Sequence, residues 1–291
     1  MIYCFTISMM KKQILVLFSL PFLLTSCDRY ATIKDISYGK YEERNLLDIA
    51  FPNNKNAHSL VVFIHGGGWI SGSKSNYAED FANKYKDGYV YAAINYRYAS
   101  NEYHCDDILD DIQSAMLKIK DVCKDYGYNI NKVAFFGHSA GGHLSLQYAY
   151  KMKDVCPFEV GFVSSLSGPT DLTDKNYITN TIIGNTYYEL MTYMTGLEIN
   201  ESNFDNYKEE LLKHSPISYI DKACPTIICH GESDDVVPLS NALTLKEKLD
   251  ATSVAHEFFL YGGGSGHALD NDKKTEHQYE QKFKEYKAKY L

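Results

Sequence analysis

Apolar and polar positions along the chain follow two rhythms. Two short alternating stretches come first, 32–38 and 46–51, the second closed by Pro52, and both predict antiparallel edge strands. The unbroken run Leu60-Val61-Val62-Phe63-Ile64 predicts a strand buried on both faces. Further strands are expected at 89–95, 132–136, 160–166, 226–229 and 256–260. Between them the apolar spacing changes to three and four, which predicts helices at 77–86, 106–126, 140–151, 239–249 and 273–290. In the second of these, Ile108, Ile112, Ala115, Met116, Ile119 and Val122 share one face. Its early acids Asp106, Asp107, Asp110 and Asp111 suit a helix N-terminus and read as a solvated face, not a metal site.

Strands that alternate with helices in this way imply a mostly parallel sheet of about eight strands, covered by helices on both faces. A chain of 291 residues is long enough to close one such α/β domain. Residues 174–215 break the rhythm: they are polar, rich in Tyr, Asn and Thr, and more than twice the length of an ordinary connection. They are expected to form a cap over the C-terminal edge of the sheet, with a surface excursion as the plainer alternative.

The N-terminus changes the picture of where the chain works. Met10-Lys11-Lys12 opens a basic stretch, residues 14–24 are apolar but too few to span a bilayer, and Leu24-Thr25-Ser26-Cys27 closes it. This order resembles a bacterial lipoprotein signal, so 1–27 is expected to be a signal segment, with cleavage before Cys27 and lipidation of that residue. Residues 28–291 would form the α/β domain, with the 174–215 segment inserted in it. Residues 1–9 fit no part of the signal. A peptidase site after small residues, giving a secreted or periplasmic protein, is the second reading, and a buried helix the third. Cleavage removes two lysines and no acid, taking the formal charge from −8 to −10. An acidic chain with no long basic run does not suit nucleic acid. Five cysteines follow Cys27 (Cys105, Cys123, Cys156, Cys224 and Cys229), so at least one is free; a structural role is expected for all five. No Cys/His set has zinc spacing, and no metal or organic cofactor is expected. The 25 Tyr carry little functional weight on their own.

Candidate chemistry sits at the strand ends. Gly137-His138-Ser139-Ala140-Gly141 has the form G-x-S-x-G, a pattern that chance produces in about one chain in ten of this length. Its context is more specific. It follows a buried strand directly and opens an apolar helix, the sharp turn that would lift Ser139 above the sheet as a nucleophile. His65-Gly66-Gly67-Gly68-Trp69 follows the third strand, and its glycines let backbone N–H groups approach a substrate oxygen. Gly67, Gly68 and Ala140 are the expected oxyanion donors, His65 a brace for the loop, and Trp69 and His138 candidate walls of the substrate pocket. Asp234, in the D-x-V-V-P stretch after the strand at 226–229, is the preferred acid; Asp171 after the strand at 160–166 is the alternative. His267, in a Gly-rich loop between the last strand and last helix, is the expected base.

Taken together these residues resemble the esterase/lipase branch of the α/β-hydrolase superfamily with an HGGGW oxyanion loop, and within it bacterial carboxylesterases of the feruloyl or acetyl-xylan esterase type. The resemblance covers about residues 36–269. Leu47-Asp48-Ile49-Ala50-Phe51-Pro52, Asn95-Tyr96-Arg97-Tyr98, Gly142-His143-Leu144 and His214-Ser215-Pro216-Ile217 support it. It implies an α/β-hydrolase fold and two-step hydrolysis of short-chain or carbohydrate-linked carboxylic esters through an acyl-Ser139 intermediate. An amidase, formamidase or small-peptide hydrolase could use the same triad, and an inactive surface binding module is the reading of another class. The expected partner is a small-molecule or polysaccharide ester, with the membrane reached only through a lipid at Cys27.

Overall fold

The computed structural model describes residues 30–291, apart from residues 42 and 185. The signal segment and Cys27 lie outside the described residues. Eight strands form one sheet: β1 (Tyr30–Ser37), β2 (Leu46–Pro52), β3 (Ser59–Ile64), β4 (Val90–Ile94), β5 (Lys132–His138), β6 (Glu159–Leu166), β7 (Thr226–Gly231) and β8 (His256–Tyr261). Their spatial order is β1-β2-β4-β3-β5-β6-β7-β8. β3 to β8 run parallel, while β1 and β2 are antiparallel additions on one side. β2 is not the edge strand that its alternation predicts. It pairs with β1 and β4 and is buried from Leu47 to Pro52, so of these two strands β1 is the edge strand, and β8 is the edge strand on the far side.

Helices cover both faces because the strands are apolar on both. α1 (Tyr77–Tyr85) and α8 (Lys273–Tyr290) bury Ala78, Ala82, Tyr279, Phe283 and Tyr286 against one face. α2 (Cys105–Asp125), α3 (Ala140–Lys151) and α7 (Leu239–Asp250) cover the other. The segment 174–215 is largely helical, with α4 (Asn176–Asn180), α5 (Thr186–Thr195), α6 (Lys208–Lys213) and a 3₁₀ turn between the last two. α5 buries Tyr187, Leu190, Met191 and Met194 on the α2/α3 side of the core. Tyrosines do much of the tying: Tyr96 donates to the His65 carbonyl at 2.8 Å and Tyr187 to the Leu172 carbonyl at 2.7 Å, while Tyr38 and Tyr128 reach the carbonyls of Asn95 and Pro52. Cys105, Cys123, Cys156, Cys224 and Cys229 are all free thiols.

Candidate active site

In a parallel sheet the loops that follow the strands gather at one edge, so residues distant in sequence converge there. The loop after β3 carries His65 to Trp69, that after β5 carries Ser139, that after β7 Asp234 and that after β8 His267.

Ser139 occupies a one-residue turn between β5 and α3 at φ 56° and ψ −128°, a conformation that is costly for a residue with a side chain. Both strand and helix hold it there. Its N–H donates to the Leu166 carbonyl at 2.8 Å, and its carbonyl accepts from His143 N–H at 3.0 Å. Gly141 is required on the far side, because a Cβ there would collide with the Ile64 carbonyl oxygen at the end of β3.

Asp234 and His267 form a direct pair. The imidazole Nδ1 lies 3.1 and 2.9 Å from the two carboxylate oxygens, which makes Nδ1 the protonated nitrogen and leaves Nε2 as the acceptor. The carboxylate is fully buried and also accepts from the N–H groups of Val236 and Val237 at 2.9 Å each. Burial raises the Asp234 carboxyl, but its bond to His267, the charge of that ring and the neighbouring His230 together hold it below the ordinary carboxylate range. His230, missed by sequence reasoning, places Nε2 3.4 Å from Asp234 and donates to the Val237 carbonyl at 2.9 Å. His138 does not line the cavity. Its Nε2 donates to the His267 carbonyl at 2.7 Å and its ring stands 4.7 Å from the His267 ring, beneath the loop it supports. Asp171 faces its own chain: one oxygen accepts from the N–H and hydroxyl of Thr173 at 2.8 and 2.6 Å.

The glycine loop is braced at both ends. The His65 ring stacks on Tyr96 at 4.2 Å, its Nε2 accepts from Arg44 at 3.0 Å, and Nδ1 donates to the Gly66 carbonyl at 2.8 Å. Burial pushes this imidazole down to about 4, so it is neutral at pH 7 and serves as a brace. Gly67 stands at φ 112°, where a side chain would run into Ser71. Trp69 is also at positive φ, 65°, and its indole Nε1 donates to His143 Nδ1 at 3.1 Å. His143 in turn donates from Nε2 to the His214 carbonyl at 2.7 Å.

A cavity of about 80 Å³ opens beside Ser139. Gly68, Ser139 and Ala140 form its polar end; Trp69, Pro169, Val236 and Val237 line the body side. Tyr177, Ile183, Tyr187 and Leu190 close it from the 174–215 segment. Those four were not legible as pocket residues, since the length and composition of the segment marked it as a whole and no single position in it. The Tyr177 and Tyr187 rings stack at 4.3 Å, and their hydroxyls are taken by Asn241 and the Leu172 carbonyl, so they offer the cavity apolar walls. Among the described residues no three His, Cys, Asp or Glu side chains converge as metal ligands.

The family model described as BD-FAE matches residues 47–249, which takes in the glycine loop, Ser139, Asp234 and the 174–215 segment. The chain belongs to the BD-FAE family. The model of the dienelactone hydrolase family also matches residues 210–289, which hold Asp234 and His267. Beyond BD-FAE itself, the chain is similar to the probable carboxylic ester hydrolase LipM of Mycobacterium tuberculosis, 29% identical over 255 residues that cover 83% of this chain and 57% of that protein. It is also similar to esterase LipC of the same organism, 27% identical over 225 residues, 72% of this chain and 53% of that one. The chain thus spans about half the length of the curated relatives it matches. Two solved structures share the architecture. Esterase B from Lactobacillus rhamnosis has a TM-score of 0.71 at 16% identity, over 89% of this chain and 85% of that one. A truncated carbohydrate esterase from gut microbiota has a TM-score of 0.70 at 20% identity, over 89% and 97%. The fold is the α/β-hydrolase fold.

Proposed function

We propose that the protein is a serine carboxylesterase that hydrolyses short-chain or carbohydrate-linked esters. The observation that carries this reading is the buried Asp234–His267 pair, at the same sheet edge as the strained Ser139 turn. In the proposed reaction His267 Nε2 takes the Ser139 hydroxyl proton as Oγ attacks the ester carbonyl. The C=O π pair moves to oxygen, and the N–H groups of Gly67, Gly68 and Ala140 receive that oxyanion, each donor contributing about 3 kcal/mol. The oxyanion collapses, the C–O bond to the alcohol breaks, and the imidazolium returns its proton to the leaving alkoxide. Water, deprotonated by the same imidazole, then releases the acid and restores Ser139. Asp234 fixes the tautomer and stabilises the imidazolium while remaining ionised.

The cavity supports a small acyl group. At about 30 Å³ for a water-sized group, 80 Å³ has room for roughly three of them, the size of an acetyl group. With the acyl group in this cavity, the alcohol would lie outside it, which suits a sugar or polysaccharide leaving group. The lipoprotein-like signal ending at Cys27 supports an exported protein held at the cell envelope by a lipid.

The test is a fluorophosphonate probe together with p-nitrophenyl esters of rising chain length, acetylated xylan, methyl ferulate and matched anilides. Labelling at Ser139 and turnover of esters ahead of anilides are expected, both lost in Ser139→Ala. Turnover that survives in that variant sinks the assignment.

A further inference from the structure

The sheet has two edges, and the chain enters at the one opposite Ser139. Tyr30, the first residue of β1, is in register with Pro52 at the end of β2, and Ala50 of β2 with Tyr91 at the start of β4. β1 therefore begins at the edge where the parallel strands start. Only residues 28 and 29 separate it from Cys27. At about 3.5 Å per residue, three steps of chain reach roughly 10 Å.

That entry edge has a chemistry of its own. The helices that cross between parallel strands run back to it, and a helix C-terminus favours cations. The last turns of α1, α2, α7 and α8 accordingly carry Lys84, Lys124, Lys248 and Lys289, of which Lys84 is paired with Glu280 at 2.5 Å; Lys151 of α3 is instead taken by Asp106 in the first turn of α2 at 2.8 Å. α8 is seated at this edge by bonds from Ser59 Oγ and Lys132 Nζ, which open β3 and β5, to the carbonyls of Leu291 and Tyr290 at 2.8 and 3.2 Å. Lys86, Lys120, Lys124, Lys153, Lys248 and Lys289 make no ion pair with another described residue, although Lys120 and Lys153 donate to the carbonyls of Pro157 and Lys222 at 3.2 and 2.9 Å. Several acids of the same edge are neutralised: Asp154 by Lys222 at 2.9 Å, Asp250 by Lys246 at 2.6 Å and Glu159 by Lys132 at 3.9 Å. Asp121, Asp125 and Asp221 make no ion pair with another described residue. Two large side chains protrude here as well, Tyr126 at 50% exposure and Val155 at 54%. Tyr126 stacks on the buried Phe51 at 5.3 Å.

We infer that this edge is a docking surface for an anionic lipid bilayer, so that the Ser139 edge faces away from the membrane that holds the protein. Lysines that meet phosphate headgroups, a tyrosine and an aliphatic side chain at the interface, and a tether of about 10 Å act together. Among the described residues no helix is long and apolar enough to cross a bilayer, so the contact is a surface one. The inference rests on the lipid-anchored reading of Cys27 and adds the substrate side to it. β5 alone is seven residues long, about 20 Å at roughly 3.3 Å per residue, which keeps Ser139 beyond the headgroups of its own bilayer. Esters of that bilayer are out of reach, and substrate arrives from the outer side.

The experiment uses the full chain, acylated during export and reconstituted in phosphatidylcholine vesicles with a minority of phosphatidylglycerol. An environment-sensitive dye is placed at Val155→Cys or Ile182→Cys, each with Cys156→Ser, and a nitroxide-headgroup lipid serves as quencher. Ile182 marks the opposite edge, where its N–H donates to the Asp235 carbonyl at 2.7 Å and its side chain is 74% exposed. Strong quenching at 155 and little at 182 is expected. Equal quenching at both, or the reverse order, overturns the orientation. Lys120→Glu, Lys124→Glu and Lys289→Glu together should lower quenching at 155 about twofold or more, with hydrolysis of a soluble ester unchanged as the check on folding. Quenching that ignores both this variant and the removal of phosphatidylglycerol overturns the lysine contact. Cys27→Ala should release the protein from the membrane, and retention of that variant overturns the tether while leaving the esterase reading to its own test.

Discussion

The indole Nε1 of Trp69 donates to Nδ1 of His143 at 3.1 Å, and this bond joins the glycine loop to the helix that begins next to Ser139. It fixes the tautomer of a fully buried histidine, since Nε2 must then donate to the His214 carbonyl. It also pins a tryptophan whose backbone stands at φ 65°, a conformation that few non-glycine residues adopt without help. His143→Leu leaves a buried donor and a buried carbonyl without partners. A loss of about 2–4 kcal/mol in urea unfolding is expected. A fall in kcat larger than any rise in KM should accompany it, since the loop that carries the proposed oxyanion donors loosens. Unchanged stability would show that the bond is not needed.

Asp234 and Asp171 are separable by substitution. Asp234→Asn removes the carboxylate that orients Nδ1–H of His267, and kcat should fall by about 10³–10⁴ with little change in fold. Asp171→Asn, which touches only the turn at Thr173, should stay within about threefold of the parent enzyme. The opposite ranking in p-nitrophenyl acetate turnover transfers the role to Asp171.

Leu190 closes the far wall of the cavity and is itself buried. Leu190→Ala removes three carbons' worth of packing there, at a cost below the roughly 2–5 kcal/mol of a fully enclosed site because one side is already open. The ratio of kcat/KM for hexanoate over acetate should rise about tenfold, on the scale of one or two methylene contacts. A ratio that does not move would place the acyl chain elsewhere.

Two buried imidazoles make folding sensitive to mild acid. Burial holds His65 and His143 at about 4, against about 6.5 in the unfolded chain. Between those values the unfolded chain binds the proton first, so stability is complete above about pH 6.5 and falls as the pH drops toward 4. Each ring is worth on the order of 3 kcal/mol across the window. Asp234 acts with the same sign in a lower window: its depressed carboxyl contributes stability that is complete above the ordinary carboxylate range and is lost as the pH falls through it. Urea midpoints measured from pH 7 to 4.5 should therefore decline, less steeply in His143→Gln. A flat profile contradicts the account.

The fold was legible because apolar spacing is set by burial. Helices 140–151 and 273–290 match their predicted ends, and the other helices and the parallel strands differ by a few residues at their ends at most. β2 was misread since Asp48 and Ala50 look like the polar half of an alternating edge strand. Asp48 is instead buried by its pair with Lys74 at 2.7 Å, a partner that spacing cannot reveal. Ser139, Asp234 and His267 could be singled out as candidates because each stands at a strand end beside turn residues, and the structure brings those strand ends to one edge of the sheet. The cavity walls Tyr177, Ile183, Tyr187 and Leu190 could not be named, because short helices pack through tertiary contacts that leave no clear period of their own. His138, a candidate pocket wall by sequence, instead turns its side chain to the His267 carbonyl.

All five cysteines of the described residues are thiols, and four of them are buried. The ties between distant segments are made instead by tyrosine hydroxyls that reach main-chain carbonyls, as at Tyr96 and Tyr187. Cohesion of this kind owes nothing to the redox state of the surroundings. The domain should melt at the same temperature with and without dithiothreitol, and refold from urea without an oxidant or a disulfide isomerase. It should mature equally well on either side of an export step, in a reducing cytosol or in an oxidising envelope.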